Sequence, residues 1–121
     1  MYTYRTLPWS DVVSFYHDLV HAHDWHSQPM LDLVTFIAAS PYALGLFPVT
    51  SHATLRLGHY PDFLPGDGEL VIDFDIGTQT FTFEYWSHPS ILKRWRHQYP
   101  ANAGQAALER FLHTYVRWFR P

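Results

Sequence analysis

Two stretches of alternating apolar and polar residues, on either side of Gly77-Thr78, constrain the fold more than any other feature of the sequence. Such alternation is typical of a strand with one buried face. Gly77-Thr78 suits a two-residue type II′ turn, with Gly at the position that needs a positive φ. That turn predicts a hairpin in which one face is apolar throughout. Its cross-strand pairs would be Leu70 with Tyr85, Ile72 with Phe83, Phe74 with Phe81, and Ile76 with Gln79.

A third strand is predicted just upstream, where Ala53, Leu55 and Leu57 alternate with polar residues and Gly. A loop rich in Pro, Gly and Asp, spanning residues 60–68, joins it to the hairpin. Residues 42–50 contain a Gly and a Pro among large apolar side chains and are interpreted as an irregular or short edge segment. The sequence therefore predicts a three-stranded antiparallel meander.

Four segments have helical spacing of their apolar residues. Two precede the strands, at residues 10–23 and 28–40. Two follow them, a short one from Pro89 to about His97 and a last one after Asn102 that extends to Phe119. An antiparallel sheet with one apolar face needs a cover, and these helices supply it. The predicted fold is α+β with element order ααβββαα, the meander being covered on one face by helices.

The composition favours one compact domain over residues 1–121. Hydrophobic residues make up 47% and aromatic residues 18% of the chain, which excludes intrinsic disorder. The absence of Cys excludes disulfides and thiolate chemistry. The sequence shows no signal peptide and no apolar run long enough to span a membrane, so we expect a cytoplasmic protein without membrane contact.

The charge balance disfavours a nucleic-acid partner. The formal net charge is −3, and a global positive field for phosphates is therefore missing. The stretch from Lys93 to His97 places three cations around Trp95. Strong binding at ordinary salt needs roughly 6–10 phosphate contacts, and Trp95 is expected to anchor the short helix to the core.

Histidines are the residues that most suggest a metal. The chain has nine, and four of them, His17, His21, His23 and His26, fall within ten residues. His17 and His21 are spaced i, i+4 and share a helical face, as two ligands of one ion would. Asp18 stands where a zinc protease motif would carry Glu, and the face is the solvent side of its helix. A solvated face is one interpretation, and a metal-binding protein or metal-dependent hydrolase using His17 and His21, with His26 or Asp18, is the other.

The other motifs of catalysis are missing from the sequence. It has no Gly-x-Ser-x-Gly elbow, no Walker lysine and no spaced acidic calcium loop. We therefore expect a protein without a cofactor and without enzymatic activity. A small-molecule binding domain, with a pocket between helices and sheet, is a further alternative.

The outer face of the predicted hairpin carries three carboxylates, Asp73, Asp75 and Glu84, with Trp86 at the end of the same face. Arg56 on the neighbouring strand would neutralise part of that charge. Acidic side chains beside an aromatic anchor are suited to a basic protein partner, and a merely solvated face is the alternative. The five residues are the predicted partner-binding site.

In general character, a small, mildly acidic, Cys-free α+β protein with many aromatics is similar to bacterial immunity and inhibitor proteins. That similarity rests on no motif. It implies a non-enzymatic interaction module that neutralises a basic toxin or effector.

Overall fold

The computed structural model describes residues 3–90 and 95–120, which form an α+β fold with a five-stranded antiparallel sheet. The strands lie side by side in chain order. They are β1 (Phe47–Ser51), β2 (Thr54–Gly58), β3 (Glu69–Asp75), β4 (Thr80–Trp86) and β5 (Trp95–Pro100). The α-helices among these residues are α1 (Trp9–His21), α2 (Gln28–Ala39) and α3 (Gly104–Arg110).

The β3–β4 hairpin has the predicted register. Ile72 pairs with Phe83 and Phe74 pairs with Phe81, so the apolar series of both strands share one face. This agreement follows from the side-chain period of two, since a slip of one residue would move every apolar side chain into water.

The predicted two-residue turn of this hairpin is wrong. Asp75 and Thr80 form the last pair, and four residues, 76–79, connect them. Gln79, not Gly77, has the positive φ, at 53°. The Thr78 N–H donates to the Asp75 carboxylate at 3.1 Å, and the side-chain amide of Gln79 donates to the Ile76 carbonyl at 2.9 Å. These bonds stabilise the wider turn without changing the register.

The predicted three-stranded meander, and with it the order ααβββαα, is also wrong, because the sheet has two more strands. Residues 95–97, predicted as helical, belong to β5, which pairs with β4 from Tyr85–Trp95 to Thr80–Pro100. In this pairing Trp95, His97 and Tyr99 fall on the same face as the buried phenylalanines of β4. The aromatic alternation therefore outweighs the helical spacing. Ile91, Leu92, Lys93 and Arg94 lie outside the described residues.

The second additional strand is β1, which lies in the segment predicted as irregular or as an edge. It forms an edge of the sheet, where Pro48 is tolerated because a strand edge needs fewer N–H donors. A two-residue turn, His52-Ala53, connects it to β2, and His52 has φ 56°.

The helices cover the apolar face of the sheet. α1 and α2 occupy the predicted ranges within two residues, whereas the last helix ends at Arg110 and continues as a π-helical turn, Phe111–Tyr115. A Cβ on Gly104 would lie 2.6 Å from the Phe81 ring, so α3 begins directly against the sheet. The largest fully buried side chains are Tyr16, Phe81, Phe83, Phe111, Met30, Ile37, Leu46, Leu55, Leu57, Leu70, Ile72 and Leu108.

In the described part of the chain, the segment before α1 and the loop after β2 cover one end of the opposite, outer face of the sheet. The Tyr4 N–H donates to the Phe63 carbonyl at 2.9 Å, and the two rings lie 5.0 Å apart. Phe63 contacts the backbone at Gly58, where a Cβ would overlap its ring. The end near the β3–β4 turn has no such cover from the described residues.

In the part of the chain that the structure describes, no helix combines the length and the apolar character needed to cross a membrane.

Candidate functional site

The three predicted carboxylates lie on the outer face of the sheet, on the central strands β3 and β4. Asp73 pairs with Thr82, Asp75 pairs with Thr80, and Glu84 pairs with Val71 on the same face. Asp73 and Asp75 are exposed and Glu84 is half-buried. The register therefore brings together the acidic residues that the sequence placed together.

Hydrogen bonds orient two of these carboxylates. Asp73 accepts a hydrogen bond from the Thr54 hydroxyl on β2. Asp75 accepts the Thr78 N–H and so also stabilises the hairpin turn. Both side chains are held by the sheet itself, which limits the entropy lost if a partner binds them.

Arg56 does not pair mainly with this acidic group. Its guanidinium lies 2.6 Å from the Glu69 carboxylate, and the side chains are 27% and 2% exposed. Burial lowers the pKa of Arg56, but the hydrogen bond and charge of Glu69 outweigh it, with smaller contributions from Tyr4 and Asp73, and the net pKa is raised. Arg56 is therefore engaged first with Glu69.

Glu69 is a residue whose burial sequence reasoning missed. The alternation of β3 places Glu69 on the outer face, but the covered end of that face excludes it from water. It accepts the Gly66 N–H at 2.7 Å and faces the Tyr4 hydroxyl at 3.5 Å. No local sequence pattern predicts the burial of Glu69, because the groups that cover it come from two distant segments.

A second missed residue is Arg96, which the register of β5 places directly opposite Glu84. It was hidden by the helical interpretation of that segment. Glu84 therefore has an arginine as its cross-strand neighbour. The partners of Asp73 and Asp75 on β4, Thr82 and Thr80, pair on β5 with Gln98 and Pro100, which carry no charge. Negative charge is concentrated at the turn end of the face.

Trp86 lies at the opposite end, where it pairs with Glu69. It is half-buried, and a Cβ on Gly66 would lie 3.2 Å from its ring. The indole is thus held against the loop before β3, with part of its surface exposed. It is separated along β4 from the turn-end carboxylates, so the five predicted residues form two groups, not one cluster.

The metal candidates lie far from this surface in the chain, on and just after α1. The rings of His17 and His21 have centroids 4.3 Å apart, and His17 Nδ1 lies 4.0 Å from an Asp18 oxygen. His26 is exposed, and its carbonyl accepts the Gln79 amide. Among residues 3–90 and 95–120, no three or more His, Asp or Glu side chains are grouped so as to hold a metal ion.

A pocket of about 390 Å³ lies between α2, the start of α3 and Phe81 of the hairpin. A second cavity, between α1, α2 and the hairpin, is small. Tyr16, Met30 and Phe74 help to line it, and its volume is about 20 Å³. This is room for one water molecule. A small organic ligand does not fit there.

Comparison with known proteins adds no family: no protein-family model, no curated protein and no solved structure matches this chain.

Proposed function

We propose that this protein is a non-enzymatic interaction module that binds a basic protein partner through the outer face of its sheet. The observation that carries the proposal is the acidic turn end of that face. Exposed Asp73 and Asp75 stand there on rigid strands, without a cation opposite them on β5 and without a covering helix among the described residues.

Threonine side chains surround the carboxylates and add polar groups to this acidic surface. Thr54, Thr80 and Thr82 are half-buried neighbours of the carboxylates on the same face. Lys and Arg of a partner would gain charge-assisted hydrogen bonds to carboxylates that are already oriented. Opposite charges also accelerate encounter, and this part of the affinity decreases with salt.

Within this class, an immunity or inhibitor protein that neutralises a basic toxin or effector is the more specific proposal. It is supported by the surface charge and by the lack of a catalytic constellation in the sequence. The metal alternative has less support, because His17 and His21 supply two ligands where catalytic zinc sites use three protein ligands.

The test is affinity capture of the partner from the native organism, with this protein as the bait, followed by binding measurements with the purified partner. Asp73→Lys with Glu84→Lys should weaken binding by about tenfold or more and make the remaining affinity less dependent on salt. The matched control is Asp11→Lys with Asp18→Lys on the exposed side of α1, which changes the net charge equally. Equal losses in both variants, or capture unchanged by the sheet variant, would remove this surface from consideration.

A further inference from the structure

The two edges of the sheet differ in how they are protected. At β1, the Pro48 carbonyl on the sheet edge accepts the Leu7 N–H from the N-terminal segment at 2.9 Å. At β5, none of the described residues pairs with the outer side of the strand. An uncovered strand edge presents free N–H and C=O groups that can pair with another chain. β5 is thus the edge available for pairing.

A groove of about 360 Å³ runs beside this edge, between β5 and the last helical segment. Trp95, His97 and Tyr99 form the strand wall, at alternate positions of β5. The ring centroids of Trp95 and Tyr115 lie 5.0 Å apart, and Tyr115 is 51% exposed. The helical wall and floor consist of Ala107, Arg110, Phe111, Thr114 and Tyr115. The groove can therefore receive alternate apolar side chains of an extended chain paired with β5.

The charged side chain that lines the groove is Arg110, which is exposed. β5 itself carries no carboxylate, and its Arg96 lies on the other face, opposite Glu84. Arg110 and Tyr99 line the groove together; burial raises the pKa of Tyr99, and the positive charge of Arg110 opposes part of that rise. A ligand with a carboxylate at this point complements the groove.

We propose that β5 and its groove bind an extended acidic peptide segment of another protein by strand addition, with a peptide carboxylate on Arg110. The backbone of the segment pairs with β5, and its apolar side chains lie against Trp95 and Tyr115. This surface is separate from the acidic face, so the inference does not rest on the proposed function.

Two other occupants fit less well. Antiparallel pairing with a second copy would bring the Arg96 side chains of both copies close together without a carboxylate on either strand. A nucleic-acid strand would meet few cations on a chain of net charge −3.

The probe is a phage-displayed library of random heptapeptides selected on the immobilised protein. We expect enriched sequences in which Asp or Glu alternates with apolar residues. A synthetic peptide of the enriched sequence should bind Arg110→Glu about tenfold or more weakly than the unmodified protein. Arg5→Glu, an equal charge change at an exposed residue of the N-terminal segment, should leave the affinity unchanged. Binding should also slow amide hydrogen exchange along β5, as new backbone hydrogen bonds require.

Three results would overturn the proposal. The first is a library without enriched acidic peptides, or enriched peptides that bind Arg110→Glu as well as the unmodified protein. The second is peptide binding that leaves hydrogen exchange in β5 unchanged. The third is assignment of the edge to another occupant, either by a dimer in sedimentation with protected β5 amides or by binding of oligo(dT) that Arg110→Glu abolishes.

Discussion

Replacing Glu69 by Gln tests whether the ion pair beneath the N-terminal segment stabilises the covered end of the sheet. The variant keeps the shape and one acceptor oxygen but removes the charge opposite Arg56. Leaving one partner of a buried pair uncompensated costs about 3–5 kcal/mol. The Arg56 side chain is 27% exposed, so water solvates part of its uncompensated charge. The Gln oxygen can still accept the Gly66 N–H. We therefore expect a loss of about 2–3 kcal/mol in the free energy of unfolding.

Urea unfolding followed by Trp fluorescence at neutral pH measures this loss. With a slope of about 2 kcal/mol per molar, the midpoint should fall by about 1–1.5 M. Amide exchange at Tyr4, whose N–H bonds to the Phe63 carbonyl, should also accelerate, because the segment loses its anchor. Asp67→Asn, at an exposed carboxylate of the same loop, is the matched control and should stay within about 0.5 kcal/mol.

A second substitution separates the ion pair from simple packing. Arg56→Met added to Glu69→Gln removes the guanidinium that the first change leaves uncompensated, and should restore part of the lost stability. The ion pair does not stabilise the fold if Glu69→Gln costs less than about 1 kcal/mol. The same conclusion follows if the loss in the double variant equals the sum of the losses in Glu69→Gln and Arg56→Met alone.

The remaining predictions concern the core and the turns. Tyr16→Phe should cost about 1 kcal/mol at neutral pH, because the hydroxyl donates to the Ala53 carbonyl at 3.0 Å. Burial, and then the charge of Asp73, raise the pKa of Tyr16 above 10.0. The unmodified protein should therefore lose stability as the pH rises above about 10. Urea unfolding across that range should show that the difference in unfolding free energy between the protein and Tyr16→Phe decreases. His52→Gly should raise the free energy of unfolding by about 1 kcal/mol, because φ 56° in a two-residue turn favours Gly; an unchanged urea midpoint would contradict this. Gly104→Ala should lower the thermal midpoint by about 5 °C or more, because its Cβ would meet the Phe81 ring at 2.6 Å, and an unchanged midpoint would show that the ring moves aside easily.

The central hairpin could be predicted because two signals agree there, the alternation and the matching apolar faces. β5 could not, because it is a short edge strand in which only Trp95, His97 and Tyr99 alternate, and the apolar residues before Trp95 have helical spacing. β1 was only half predicted, because Pro48 argues against a strand unless its place at the edge is known.

The candidate surface divides in the same way. The shared face of Asp73 and Glu84 follows from the register alone. The burial of Glu69 does not, because it depends on Tyr4 and on the loop at Gly66, which approach from elsewhere in the chain. The neighbourhood of Arg96 could be known only after β5 was placed.

Because successive side chains of β3 and β4 point to opposite sides, folding and the proposed partner binding depend on different residues of the same strands. Ile72 and Phe83 fix the register from within, while Asp73 and its neighbour Thr82 on the outer face can be exchanged at a cost of about 1 kcal/mol each. The outer surface of the sheet can therefore be changed by substitution on an unchanged backbone. Alternate-position libraries on these two strands offer a direct route to binders for new targets.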